Sequence, residues 1–155
     1  MKRALLVEDD ICIAEIIRHV LESKGHLVFV ANNGDDAIKI GAAQRTQPFD
    51  LLLCDLGIPG AGAGAGEVVR VVRNCHPGIR VVIMTGHPAE DVARYGIPGK
   101  FCVLEKPFSI QRPAECITCL EEVQSCDNAR KSPRFDARTS DDTSLGTTGE
   151  RHPND

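Results

Sequence analysis

Short apolar runs in this chain end repeatedly on residues whose types can do chemistry. Glu8, Asp9 and Asp10 follow "LLV", and Asp55 follows "LLLC". Thr85 follows "VVIM", with Gly86 and His87 behind it, and Lys106 and Pro107 follow "CVLE". Singly, each is an ordinary solvated residue. As a set they are selective: carboxylates on two runs, a hydroxyl on a third, a lysine on a fourth. Clustered carboxylates repel unless a cation neutralises them, and Mg²⁺ favours one or two carboxylates completed by phosphate oxygens and water. A lysine across the site adds a second positive centre, and a hydroxyl can donate to an incoming oxygen. Asp55 is then placed as a carboxylate nucleophile able to form an aspartyl phosphate. Mg²⁺, Lys106 and Thr85 would stabilise charge on the phosphoryl oxygens.

Elements must bring these ends together. Arg3–Val7, His26–Ala31, Phe49–Cys54, Ile79–Met84 and Lys100–Glu105 read as strands. Between them, "ICIAEIIRHVLESKG" carries apolar residues on one helical face and stops at Gly25. "GDDAIKIGAAQRT", "EVVRVVRNC" and "PAEDVARYG" read as further helices, the last opened by Pro88 and closed by Gly96. A final helix is predicted from about Ser109 to Ser125, with Pro113 in its first turn if it begins near Arg112. Near-continuous apolar strands alternating with helices imply a parallel sheet covered on both faces, an α/β doubly wound fold. In such sheets ligands bind outside the carboxyl ends of the strands, where the candidate residues lie.

The 155 residues are one domain's worth. A net charge of −4 disfavours sequence-independent nucleic-acid binding. No run approaches the ~20 apolar residues of a membrane span, and "MKRALLVEDD" lacks the pattern of a secretory signal. A cytoplasmic protein is expected, with no direct nucleic-acid contact and no membrane insertion. The seven cysteines, among them Cys12, Cys54 and Cys102 in apolar runs, read as reduced, buried thiols. Cys116 and Cys119 are spaced for metal or redox chemistry, but no second pair or histidine pair completes a ligand set. From residue 125 to 155 the chain turns polar, which predicts a disordered tail too short for a DNA-binding output domain.

Four motifs, "LLVEDD", "FDLLLCDLGIPG", "VVIMTG" and "VLEKPFS", in this order and spacing, resemble the receiver domain of bacterial two-component response regulators over residues 1–124. The resemblance implies a flavodoxin-like (βα)5 fold with strand order 2-1-3-4-5. It implies Asp55 as phosphoacceptor, Thr85 as switch hydroxyl and Lys106 as phosphoryl contact. It implies Mg²⁺ held by Glu8, Asp9, Asp55 and the Gly57 carbonyl, with Asp9 the direct acidic ligand. Asp10 is left as a helix N-cap, and Pro107 is expected after a cis bond. The implied partners are a sensor histidine kinase or histidine phosphotransfer protein and a downstream target; catalysis would not exceed slow self-dephosphorylation. Where the family usually carries an aromatic, this chain has Val103, with Phe101 on the same side of the strand. His87 is either a rim residue that modulates hydrolysis or a solvated loop histidine.

Other uses of such a fold are disfavoured residue by residue. A flavodoxin-like cofactor binder needs a neutral, hydroxyl-rich loop after the first strand; here stands "EDD". A phosphohydrolase with an aspartyl nucleophile needs a second Asp two positions on; here stands Gly57. A phosphorylation-independent binding module, or a phosphate sink or shuttle, remains the alternative. The run "GAGAGAG" at residues 60–66 lacks both the Lys-Ser/Thr of a P-loop and the G-x-G-x-x-G spacing. It is expected to be the connection from Asp55 to the next helix, lying beside the phosphoryl site without cradling it and fraying the start of that helix.

Overall fold

The computed structural model describes residues 1–60, 62, 64–113 and 115–118. Five strands, β1 (Lys2–Val7), β2 (His26–Ala31), β3 (Leu51–Asp55), β4 (Arg80–Thr85) and β5 (Cys102–Glu105), form one parallel sheet in the order β2-β1-β3-β4-β5. This is the expected architecture. The connections are α1 (Ile11–Ser23), α2 (Gly34–Ala43), α3 (Ala65–Cys75) and a 3₁₀ segment, Ala89–Tyr95. Residues 112–113 and 115–118 are helical, with Pro113 in the first turn.

Alternation along each strand divides the core in two. Leu5, Val7, Leu52, Cys54, Val81 and Ile83 face α2, α3 and the 3₁₀ segment through Ala37, Val68, Val69, Val72 and Val92. Their neighbours Ala4, Leu6, Leu51, Leu53, Val82, Met84 and Leu104 face α1 and the last helical residues through Ala14, Ile17, Leu21 and Ile117. A strand buried on both faces has no room for polar residues until it leaves the sheet, so the polar set is confined to the rim. Asp10 caps α1, its Oδ1 accepting the Ile13 N–H at 3.1 Å. Asn33 caps α2 in the same way through the Asp36 N–H at 2.8 Å. Gly25, at φ 84°, lets the chain turn out of α1 into β2.

Several details differ from the sequence expectation. The expected fourth helix forms between Pro88 and Gly96 as a 3₁₀ segment: its seven residues are too few to offset α-helix nucleation by packing, and of them only Val92 is buried. α3 starts two residues early, inside the glycine run, because Ala65 is buried in the core and Gly66 lies against the backbone at Tyr95. β3 starts late, at Leu51, because the Phe49 N–H is turned toward His76. β5 starts at Cys102, after Gly99 at φ 75°. Cys12 is exposed rather than buried, since it lies off the α1 face made by Ala14, Ile17 and Leu21; Cys102 is half-buried. Cys119, Cys126, the residues at 119–125 of the last predicted helix, and the tail at 125–155 lie outside the described residues. Among the described residues no helix is long and apolar enough to cross a membrane.

One structural residue has no signal in the sequence. His76 is fully buried after α3, its Nδ1 accepting the Phe49 N–H at 3.3 Å and its Nε2 donating to the Gly41 carbonyl at 2.8 Å. It joins α2, α3 and the approach to β3. His76→Ala leaves two buried backbone groups unpaired and a void, a loss expected to be about 3 kcal/mol. The denaturant midpoint checks this; an unmoved midpoint would contradict it.

Candidate functional site

The sheet ladder delivers each side chain to one rim. Val7 pairs with Cys54, Asp55 with Met84, and Thr85 with Glu105, so the four strands end nearly level. Backbone bonds extend this register past the strands: Glu8 N–H to Ala31 O at 3.0 Å, Leu56 N–H to Met84 O at 2.8 Å, and Lys106 N–H to Thr85 O at 2.7 Å. Asp55 and Thr85 are themselves the last strand residues, not the first beyond them. A cis Lys106–Pro107 bond follows β5.

The Lys106 ammonium lies 2.8 Å from Glu8 Oε2 and 3.1 Å from Asp55 Oδ1. Glu8, Asp9 and Asp55 each offer a carboxylate oxygen within 4.8 Å of the others. Glu8 is only 1% exposed and Asp55 8%, whereas Asp9 is exposed. Burial pushes the Glu8 carboxyl above its ordinary range, against hydrogen bonds from Lys106 and the Asp10 N–H. Burial also works against the charge of Lys106, but bonds to Glu8 and Asp55 outweigh it and hold the ammonium above its ordinary range. Burial, then the charges of Asp55 and Glu8, raise the Cys54 thiol strongly, so it stays protonated and is no nucleophile. Three carboxylates against one lysine leave an excess of negative charge, and this donor set fits a hard cation with oxygen ligands.

Thr85 is 1% exposed, and its Oγ1 accepts the His87 N–H at 2.9 Å. The His87 side chain is exposed and its ring tilts toward Tyr95, centroids 6.3 Å apart. After Asp55 the chain is pinned by the buried Leu56 and Ile58 and by the Gly34 N–H on Pro59 O at 3.0 Å. Gly57 lies between these pins, and a Cβ there would sit 3.5 Å from Asp55 Oδ2. Phe101 and Val103 pack against the same core cluster. Glu105 was not singled out by its sequence context, yet its Oε1 accepts the Ala89 N–H at 2.9 Å.

The family model of the response regulator receiver domain matches residues 4–118. The chain belongs to the response regulator receiver domain family. Over 113 residues, 72% of its length, it is 34% identical to a response regulator receiver protein of Anaeromyxobacter, of which it covers 45%. Over 109 residues, 70% of its length, it is 35% identical to the transcriptional regulatory protein ZraR of Klebsiella oxytoca, of which it covers 24%. This receiver chain thus spans less than half the length of these curated relatives. Among solved structures, a receiver protein from Sinorhizobium medicae aligns with a TM-score of 0.69 at 24% identity, over 79% of this chain and 96% of that one. A response regulator from Burkholderia pseudomallei, solved with a phosphorylated aspartic acid, calcium ion and citrate, aligns with a TM-score of 0.64 at 22% identity, over 83% of this chain and 74% of that one. These two share the fold.

Proposed function

We propose that the chain is a phosphoacceptor of a two-component phosphorelay, taking a phosphoryl group from a histidine kinase or a histidine phosphotransfer protein onto Asp55. The observation that carries this reading is the Lys106 ammonium bridging Glu8 and Asp55 beside an exposed Asp9. An Asp55 oxygen attacks the phosphorus of a phosphohistidine; the P–N bond breaks, a P–O bond forms, and the freed imidazole takes up a proton. Lys106 orients Asp55 and then follows the transferred group's oxygens. Glu8 accepts one of the ammonium's protons and so fixes where it points. Thr85 supplies a hydroxyl on the β4 side. Asp9, Asp55 and the Gly57 carbonyl would hold Mg²⁺, with Glu8 beside them, and the cation would neutralise charge on the acceptor and the phosphoryl oxygens. The phosphorylated aspartate and calcium of the Burkholderia relative support this reading.

Gly57 gives no second carboxylate for acid–base work, so turnover is confined to slow self-hydrolysis. Its missing side chain also leaves one flank of Asp55 open to water. Gly57→Ile is expected to lengthen the aspartyl-phosphate half-life by about tenfold, ~1.4 kcal/mol on the barrier. Decay followed by intact mass checks it, and an unchanged half-life would contradict it.

The receiver is assigned to residues 1–124, with the stretch at 125–155 as a tail. Phosphorylation would switch a protein-binding face for a downstream target. Val103, in place of the usual aromatic, favours a second reading: a binding module that works without phosphorylation. Incubation with Mg²⁺ and acetyl phosphate, read by intact mass, separates the two. Wild type is expected to gain one phosphoryl group and Asp55→Asn none. A wild type that stays unmodified even with a cognate kinase would favour the binding module.

A further inference from the structure

We propose that Glu105 is a positioning residue that fastens the 3₁₀ segment to the strand carrying Lys106. The surface at residues 87–96 and the acceptor site are thereby one mechanical unit. The segment is entered through Pro88, which supplies no side-chain cap. The orphan Ala89 N–H is taken instead by Glu105 Oε1 at 2.9 Å, from the last residue of β5. A carboxylate accepting a backbone N–H at a helical start makes a charge-assisted bond, aligned with the dipole of the turn. Within the segment itself only Val92 is buried.

Two further ties complete the frame. On the β4 side, the His87 N–H reaches Thr85 Oγ1 at 2.9 Å. At the exit, the Tyr95 carbonyl lies so near α3 that a Cβ on Gly66 would approach it to 3.2 Å. Of the three ties, the Glu105 bond joins the segment to the Lys106 strand. The next residue after Glu105 is Lys106, whose amide is fixed to Thr85 O at 2.7 Å and whose ammonium lies 3.1 Å from Asp55 Oδ1. Neighbouring Cα atoms are about 3.8 Å apart across one peptide unit. A shift of the β5 end that accompanied phosphorylation of Asp55 would therefore carry Glu105, and with it the entry of the 3₁₀ segment. The coupling rests on Asp55 being the phosphoacceptor; the latch itself does not.

The test is amide hydrogen exchange on the full chain as wild type, Glu105→Ala and Glu105→Gln. Without a phosphodonor, Glu105→Ala is expected to speed exchange over residues 88–96 by on the order of five- to tenfold. β2 should be unchanged, and Gln, whose amide oxygen still accepts, should restore protection. Equal exchange in wild type and Glu105→Ala would overturn the latch. With Mg²⁺ and acetyl phosphate, wild type is expected to change exchange over 88–96, and Glu105→Ala to gain the phosphoryl mass with little further change. A full-sized response in phosphorylated Glu105→Ala would overturn the coupling. Absence of any mass gain would overturn the phosphoacceptor reading and the coupling, while the first comparison still decides the latch.

Discussion

Lys106→Met is expected to slow phosphoryl acceptance from acetyl phosphate by about 10²–10³-fold, the scale of losing one preorganised charge at a transition state. Among the described residues, Lys106 is the only cation paired with either Glu8 or Asp55. Methionine keeps the length and apolar stem but removes the ammonium. The incoming phosphoryl oxygens then meet two carboxylates with no fixed positive partner. Glu8, buried and already pushed upward, loses the Lys106 hydrogen bond, the larger of the two that oppose the shift. Its carboxyl is expected to rise further. Lys106→Arg should recover only part of the rate, because a planar guanidinium cannot reproduce a point charge between two carboxylates. Rates by intact mass at saturating Mg²⁺ check both variants. A Lys106→Met rate equal to wild type would contradict the assignment.

The second large effect concerns the cation. Asp9→Asn is expected to weaken Mg²⁺ binding by about 10²-fold, ~2.7 kcal/mol. Both Glu8 oxygens are engaged, Oε1 by the Asp10 N–H at 3.2 Å and Oε2 by Lys106 at 2.8 Å. Asp9 is exposed beside them and its carboxylate is within the acidic cluster. Glu8→Gln should therefore cost less Mg²⁺ affinity than Asp9→Asn, while disturbing Lys106 more. Titration calorimetry measures both. Equal losses would make Glu8 a direct ligand, and no loss in Asp9→Asn would move the cation elsewhere.

The sheet was legible because its inner strands are buried on both faces, so "LLV", "LLLC" and "VVIM" can only end where polar residues begin. The same logic brought Glu8, Asp9, Asp55, Thr85 and Lys106 to one rim. Asp10 was legible as a cap because its bond to Ile13 is local, three residues on. What escaped was long-range. The Glu105 bond to Ala89 and the His76 bonds to Phe49 and Gly41 join residues far apart in sequence, and no local pattern announces them. The short fourth helix was legible from Pro88 and Gly96, but its 3₁₀ form was not, because its pattern holds one buried position and tertiary ties at its ends set its form. The glycine run carries no phosphate-binding motif in its sequence, and its last glycine has a packing role that only the approach of the Tyr95 carbonyl reveals.

The most direct measurement is to locate the phosphoryl group. After incubation with Mg²⁺ and acetyl phosphate, borohydride reduces an acyl phosphate on aspartate to homoserine, and peptide mass spectrometry reads the position. The expected result is conversion at Asp55 alone, absent without donor and absent in Asp55→Asn. Conversion at Asp9 or Asp10, or a phosphoryl group retained by Asp55→Asn, would contradict it.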